Sequence, residues 1–214
     1  MIRIVIADDH AIVREGLKRI VTSDEDMVVV GEAADGTQVM QQVRGIDFDV
    51  LVLDLSMPGR SGMELIKLVR CEKPKLRILV LSMHEELQYA VRAIKSGASG
   101  YLTKESAPSQ LIQVLRKIAA GGAFISTDVA EQLALGSMLG GSSAVHERLT
   151  DREFEVFRFI AVGMSVTEIA ARLNLSAKTI STHKANLMQK MNLQNQSELI
   201  RYAIRHGVTE PLEP

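Results

Sequence analysis

From Met1 to about Gly121 the chain alternates short runs of valine, isoleucine and leucine with segments of ten to fourteen residues whose apolar positions recur at helical period. Strands that are apolar on both sides must be covered on both sides, and a helix after each strand returns the chain to start the next in the same direction. The pattern therefore predicts a parallel sheet, with strands over residues 2–7, 28–33, 50–53, 78–82 and 100–102. Helices fit between them over 11–22, 37–44, 63–71, 87–96 and 108–120, with Gly97 and Gly121 as C-terminal stops. Five β/α units in about 120 residues make a small doubly wound α/β domain with a five-stranded parallel sheet, whose site lies at the carboxyl ends of the strands.

Beyond Gly121-Gly122 the strand signals stop. A weak helix over 127–138 runs into Gly140-Gly-Ser-Ser143, a linker by composition. From Leu149 onward the pattern is all helical. Thr150 with Glu153, Ser165 with Glu168 and Asn195 with Glu198 have capping-box spacing, and Ser176 can cap a fourth helix. The predicted organisation is a domain over 1–121, a linker with a weak helix over 122–148, and an all-α four-helix domain over 149–214.

At 46% hydrophobic and 24% charged residues in 214, the chain has enough apolar side chains for two cores, which excludes a disordered or fibrous protein. The run from Met1 to Ala7 meets Asp8 and Asp9 too soon for a secretory signal, and no stretch is apolar enough to span a membrane. A single cysteine, Cys71, suits a reducing compartment, so a cytoplasmic location is expected. The net charge of −1 favours neither nucleic acid nor membrane. Its distribution says more: the segment 177–193 carries Lys178, Lys184 and Lys190 and no carboxylate.

Asp8 and Asp9 follow the first predicted strand and Asp54 the third. Neighbouring strand ends bring these carboxylates together, and clustered carboxylates repel unless a hard divalent cation, typically magnesium, joins them. Ser82 and Lys104, at the ends of the fourth and fifth strands, add a hydroxyl and a positive charge suited to a transferring phosphoryl group. Asp54, on the central strand, is the candidate nucleophile. Taken singly, each aspartate is more often a helix cap or loop residue; five compatible residues at five matching strand ends are not. The cluster alone also fits an aspartate-nucleophile phosphatase acting on a diffusible substrate, although no segment supplies a substrate cap. A scaffold independent of phosphorylation is disfavoured by the intact set of five.

Asp8-Asp9, Asp54-Leu-Ser-Met-Pro-Gly59, Leu81-Ser82 and Gly97-Ala-Ser-Gly-Tyr-Leu-Thr-Lys104 resemble the receiver domain of two-component response regulators. The resemblance implies that Asp54 accepts phosphate from a sensor histidine kinase. Asp9, Asp54 and the Ser56 carbonyl would hold Mg2+, with Asp8 assisting through water. It also implies that Ser82 and Lys104 contact the phosphoryl oxygens and that Tyr101 is an aromatic switch, where a bland reading makes it an edge-strand ring. Glu105 stands where the family often has proline, so a trans peptide bond is expected there.

In the helix predicted over 177–191, Ile180, Leu187 and Met191 share one face and pack inward. Lys178, Ser181, Thr182, Ala185 and Gln189 lie opposite, as suits a helix pressed into a major groove. Thr179, Asn186 and Lys190 flank that strip where phosphates would pass, and Lys184 lies nearer the inner face. A preceding helix over 166–173 completes helix-turn-helix spacing. Charge alone leaves open a helical dimerisation domain with a solvated lysine face. However, Leu149-Thr-x-Arg-Glu153, Gly163-x-Ser165, Glu168-Ile-Ala170, Leu175-Ser176, Lys178-Thr-Ile180, His183 and Lys190-Met191 resemble the LuxR-type helix-turn-helix of NarL/FixJ response regulators. That resemblance implies a transcription factor switched by phosphorylation and binding promoter DNA as a homodimer, with RNA polymerase as a further partner. It implies no enzyme activity beyond the receiver's own phosphorylation and dephosphorylation. Leu199, Ile200 and Ala203, on the apolar side of the last helix, are the candidate dimerisation residues.

Overall fold

The computed structural model describes residues 1–57, 62–83, 87–138, 145–173 and 175–208. They form two compact units, 1–141 and 142–214. In the first, β1 (Ile2–Ala7), β2 (Met27–Ala33), β3 (Val50–Asp54), β4 (Arg77–Ser82) and β5 (Gly100–Thr103) make one parallel sheet in the order β2-β1-β3-β4-β5. The connecting helices are α1 (Ala11–Thr22), α2 (Gly36–Gly45), α3 (Gly62–Glu72), α4 (Leu87–Lys95) and α5 (Ala107–Ala119).

Burial on both faces is what selects this sheet. Ile4, Ile6, Val50, Val52, Leu79 and Leu81 pack with Leu17 and Val21 of α1 and with Leu111 and Leu115 of α5. Their alternates Val5, Leu51, Leu53, Ile78 and Val80 are equally buried, so the other face is covered too. Gly97 and Gly121 carry φ of 112° and 97°, the left-handed region in which a side chain would be strained, and both follow helices as the sequence predicts. No peptide bond among the described residues is cis, the Lys104–Glu105 bond included.

Within the segment predicted as a linker with a weak helix over 127–138, that helix is present and the residues before it pair with the sheet. Phe124 runs beside β5, its carbonyl accepting from the Tyr101 amide at 3.0 Å and its amide donating to the Ser99 carbonyl at 3.1 Å. A helix α6 (Thr127–Met138) then packs on α4 and buries Val129. An edge strand has unpaired backbone groups, and this segment satisfies the Tyr101 amide of β5 and the Ser99 carbonyl just before it. Residues 124–138 thus belong to the first unit; the Gly140–Ser143 stretch lies outside the described residues.

The second unit opens with a 3-10 turn, Val145–Arg148, whose His146 is buried beside Phe154, Phe157 and Tyr202. Four helices follow: α7 (Asp151–Ala161), α8 (Val166–Arg172), α9 (Ala177–Met191) and α10 (Gln196–Arg205). Each starts at the side chain predicted to cap it. Thr150 and Ser165 form reciprocal capping boxes with Glu153 and Glu168, and Ser176 and Asn195 accept from the Thr179 and Glu198 amides. Phe154, Phe157, Ile169, Ile180, Leu187, Leu199 and Ala203 are buried together as the apolar faces of these helices meet.

Candidate functional site

Register places the acidic residues. Ala7 pairs with Leu53, so the next residues along, Asp8 and Asp54, emerge side by side where the sheet order reverses between β1 and β3. Asp54 pairs with Leu81 and Ser82 with Thr103, which brings the Ser82 and Lys104 ends into the same crevice. The Lys104 amide donates to the Ser82 carbonyl at 2.8 Å, fixing the fifth strand end against the fourth.

Lys104 gathers the buried charges. Its ammonium lies 2.6 Å from Asp8 Oδ2 and 2.8 Å from Asp54 Oδ2, and both carboxylates are 1% exposed. Burial works to lower the Lys104 pKa, but the hydrogen bonds and charges of Asp54 and Asp8 outweigh it and hold the group above its ordinary value. Burial likewise pushes the Asp54 carboxyl up, and the Lys104 ammonium and the Ser56 amide only partly offset this. Desolvation is the larger effect, so the ionised form of Asp54 is held at a cost to the fold.

The remaining oxygens face the other way. Asp54 Oδ1 accepts from the Ser56 amide at 3.1 Å, and Asp8 Oδ1 from the His10 amide at 2.8 Å. Candidate ligand atoms of Asp8, Asp9, His10 and Asp54 all lie within 4.8 Å of one another. Asp9 is exposed and Ser82 fully buried at the end of β4. Tyr101, on edge strand β5, is 8% exposed and lines a cavity of about 270 Å3 with Leu87, Ala90, Phe124 and Val129.

Two neighbours of the acidic cluster escape a reading by strand ends alone. His10 sets its ring against Asp8 and Asp9, and Arg14 donates from Nη1 to the Asp8 carbonyl at 2.6 Å. His10 directly follows the aspartate pair in sequence, and Arg14 lies one helical turn further on; that spacing was the available signal.

On α9 the residues assigned to base edges, Lys178, Ser181, Thr182, Ala185 and Gln189, are all exposed, and Ile180, Leu187 and Met191 are buried. Of the flanking residues, Asn186 is exposed, while the Thr179 hydroxyl lies 2.8 Å from Ser176 Oγ within the cap. Lys184 donates to Gln196 Oε1 on α10 at 2.9 Å. His183 is half-buried, and burial followed by the charge of Arg152 lowers its pKa.

Lys190 places its ammonium 2.7 Å from Glu153 Oε2, because Glu153 is buried under the α7 capping box and its carboxylate needs a counter-charge, while the lysine side chain stays 41% exposed. One expectation needs correction. Leu199 and Ala203, expected at a dimer contact, are 0% exposed: they close the core of their own unit and have no surface left to offer. On α10 it is Ile204, at 46% exposed, that presents apolar surface, with Ile200 partly covered.

The Lys190–Glu153 ion pair has a measurable consequence. Burial alone would raise the Glu153 pKa, but Lys190 and the Thr150 amide and hydroxyl bring it below the usual glutamate value. The stability this gives is complete above the pKa of an unfolded glutamate and is lost as the pH falls through the lower, folded value. Lys190→Ala is therefore expected to destabilise the second unit at neutral pH by about 1 kcal/mol, a partly exposed partner being screened. For a unit of this size that is about 4–8 °C in thermal melting. Calorimetry of wild type and variant at pH 7 and pH 4 checks it, with the difference shrinking at the lower pH.

Residues 4–116 match the response regulator receiver domain family, and residues 147–203 match the bacterial regulatory proteins of the luxR family. The chain is 38% identical over 216 residues to the oxygen regulatory protein NreC of Staphylococcus epidermidis, covering 97% of this chain and 99% of that one. It is 33% identical over 209 residues to the response regulator UvrY of Escherichia coli, covering 97% and 96%. Among solved structures, RcsB from Salmonella enterica serovar Typhimurium, bound to promoter rprA in the presence of the phosphomimetic BeF3−, aligns with a TM-score of 0.60 at 34% identity, covering 94% of this chain and 97% of RcsB. Among the described residues no helix is long and apolar enough to cross a membrane. With an acidic crevice at the end of a five-stranded parallel sheet and a four-helix unit behind it in sequence, the chain belongs to the NarL/FixJ-type response regulators, DNA-binding transcription regulators that join a receiver domain to a LuxR-type helix-turn-helix domain.

Proposed function

We propose that Asp54 accepts a phosphoryl group from a sensor histidine kinase and that the modified receiver, residues 1–121, drives dimeric binding of promoter DNA by the domain over 149–214. The observation that carries this is the single lysine bridging two buried carboxylates at the end of the sheet, Lys104 with Asp8 and Asp54. Structural ion pairs are ordinarily satisfied one to one; an ammonium shared between two buried acids, with Asp9 beside them, leaves an excess of negative charge that a divalent cation balances, and with that cation the lysine is positioned to meet a phosphoryl group.

The donor set fits magnesium. Three carboxylates offer hard oxygen ligands within one small volume, and Asp9, Asp54 and the Ser56 carbonyl would hold the ion, with Asp8 acting through water. When bound, magnesium supplies positive charge opposite the phosphoryl oxygens. The chain's own residues do the rest. An Asp54 carboxylate oxygen forms the bond to phosphorus as the donor's P–N bond to the kinase imidazole breaks. Lys104 neutralises one phosphoryl oxygen, and the Ser82 hydroxyl donates to another. No substrate is turned over beyond the receiver's own phosphorylation and dephosphorylation.

Phosphorylation replaces about one negative charge by about two and adds acceptor oxygens, enough to draw Ser82 toward Asp54. Tyr101 follows into the space vacated, and its neighbours Phe124 and Val129 extend that movement to the segment leading out of the receiver. RcsB is seen bound to promoter DNA, which supports the same assignment for the second unit here. The outer face of α10, Ile200 and Ile204, is the surface we assign to pairing of two such units, RNA polymerase being a further partner at the promoter. The protein acts in the cytoplasm.

The test compares full-length protein with and without a small phosphodonor and Mg2+ for binding to duplexes with paired half-sites. Phosphorylated wild type is expected to dimerise and bind more tightly. Ser82→Ala is expected to take up phosphate but lose most of that gain, a coupling on the order of 1–3 kcal/mol. Equal dimerisation and equal DNA affinity of phosphorylated wild type and Ser82→Ala would remove Ser82 from the relay.

A further inference from the structure

Arg14 makes a contact that the packing of α1 does not call for. Its side chain is 18% exposed, and its guanidinium is engaged outside its own helix. Nη1 donates to the Asp8 carbonyl at 2.6 Å, and Nε pairs with Glu32 Oε2 on β2 at 3.5 Å. Glu32 is itself held by the Lys18 ammonium at 2.8 Å, so the guanidinium rests against an anchored carboxylate. The carbonyl that Arg14 meets belongs to the peptide bond joining the two acidic residues. The Asp8 amide donates to the Ala33 carbonyl at 3.1 Å, but β2 ends at Ala33, and among the described residues no backbone amide donates to the Asp8 carbonyl. A charged donor takes that place. Because a peptide group is planar, fixing this carbonyl fixes the plane that carries both the Asp8 and the Asp9 Cα atoms. Asp8 has further anchors, its carboxylate lying against Lys104 and the His10 amide. Asp9, 30% exposed, depends more on where the backbone puts it.

We propose that Arg14 is a positioning residue for the divalent cation site: by holding the peptide bond between Asp8 and Asp9 it presents the Asp9 carboxylate to an ion shared with Asp54. It acts through the backbone and touches neither the ion nor a phosphoryl group. Magnesium demands near-ideal octahedral geometry, so a carboxylate offered at the wrong angle is lost to it as a ligand. Groups that orient a ligand from behind are accordingly worth about 10-fold to 100-fold in metal affinity. Charge works the other way, since a guanidinium near a cation site repels the cation. Glu32 offsets that charge here, so the geometric effect is the one that shows. The two effects have opposite signs when Arg14 is removed. The proposal rests on the reading that Asp9 and Asp54 hold a divalent ion, and the experiment separates the two.

Mg2+ binding to the full-length protein is measured by isothermal titration calorimetry, and modification by a small phosphodonor is followed across a range of Mg2+ concentrations. Arg14→Ala is expected to bind Mg2+ about tenfold more weakly and to need about tenfold more Mg2+ for half-maximal phosphorylation, while keeping its rate at saturating Mg2+. A merely structural role would lower the saturating rate and leave the Mg2+ dependence in place. Arg14→Lys keeps the charge and the stem, but one ammonium cannot serve the carbonyl and Glu32 as the planar fork does, so its affinity is expected to fall between wild type and Arg14→Ala. This second variant carries the test if melting curves show that Arg14→Ala does not fold. Wild-type Mg2+ affinity in both variants overturns the proposal, as does tighter binding by Arg14→Ala, which would make repulsion the main effect. Loss of Mg2+ binding in Asp9→Asn together with Asp54→Asn supports the cation site on which the proposal rests. Mg2+ binding that survives that double substitution places the ion elsewhere and overturns both.

Discussion

Asp54→Asn is expected to eliminate the gain of one phosphoryl mass when the protein is incubated with Mg2+ and a small-molecule phosphodonor, with wild type modified and the variant at background. Asparagine keeps the shape of aspartate and loses the anionic oxygen that must bond to phosphorus. Its neighbours stay in place: Lys104 still has Asp8 at 2.6 Å, so the crevice does not collapse for want of a counter-charge. A chelator is expected to stop wild-type modification too, because Asp8, Asp9 and Asp54 otherwise repel the incoming anion. Intact mass spectrometry decides. A variant that gains the same mass at the same rate identifies another nucleophile.

The same substitution is expected to stabilise the fold. Burial holds the Asp54 carboxyl above the usual aspartate pKa, so the folded state binds that proton more tightly than the unfolded one. The corresponding stability is fully present below the unfolded pKa and is lost as the pH rises through the folded pKa, which makes the ionised group a net cost at neutral pH. Asp54→Asn should therefore melt higher than wild type at pH 7, and the two should converge as the solution is acidified. A variant that melts lower at pH 7 would mean that the Lys104 ion pair outweighs desolvation. Loss of function with gain of stability is what an active-site charge predicts and a structural ion pair does not.

The parts of this molecule legible in sequence are those governed by local rules. Hydrophobic period gave the five strands and the helices between them, and caps marked the starts of α7 to α10, because a free amide at a helix end is satisfied by a side chain three residues away. Asp8, Asp54, Ser82 and Lys104 came together because a parallel sheet places successive strand ends in one row. What the sequence left open depended on distant partners. Lys190 lies at the edge of the exposed face of α9, and only the position of Glu153, 37 residues earlier, gives it an ion-pair partner. Leu199, Ala203 and Ile204 have equal claim to an apolar face until the packing of α10 on α7 buries the first two. Residues 124–138 read as linker because their hydrophobic pattern is weak, whereas the unpaired edge of β5 and the surface of α4 hold them to the receiver.

Changing Lys178 and Thr182 together is expected to change which DNA sequence the second unit prefers. Both project from the first turns of α9, on the face opposite Ile180 and Leu187, which the core fixes in place. That face is smooth, with Ser181 between them and Ala185 nearly one turn beyond, so the helix can approach base edges closely. Thr182 donates its hydroxyl to the Lys178 carbonyl at 3.0 Å, and to reach a base it must give up this internal bond. Thr182→Val removes the hydroxyl at little cost to the helix, while Lys178→Gln exchanges a charge for an amide with a different base preference. Each lost base contact is worth about 1–3 kcal/mol, or about 5-fold to 150-fold in discrimination at one position. A phosphate contact behaves otherwise: its loss weakens all duplexes alike and flattens the salt dependence by about one unit. Selection of duplexes from a random pool with full-length wild type and with Lys178→Gln/Thr182→Val, followed by titration at several salt concentrations, separates these cases. A selected sequence that shifts at one or two positions in each half-site identifies α9 as the reader. An unchanged selection with uniformly weaker binding makes these two residues phosphate contacts and moves sequence recognition to another part of the domain.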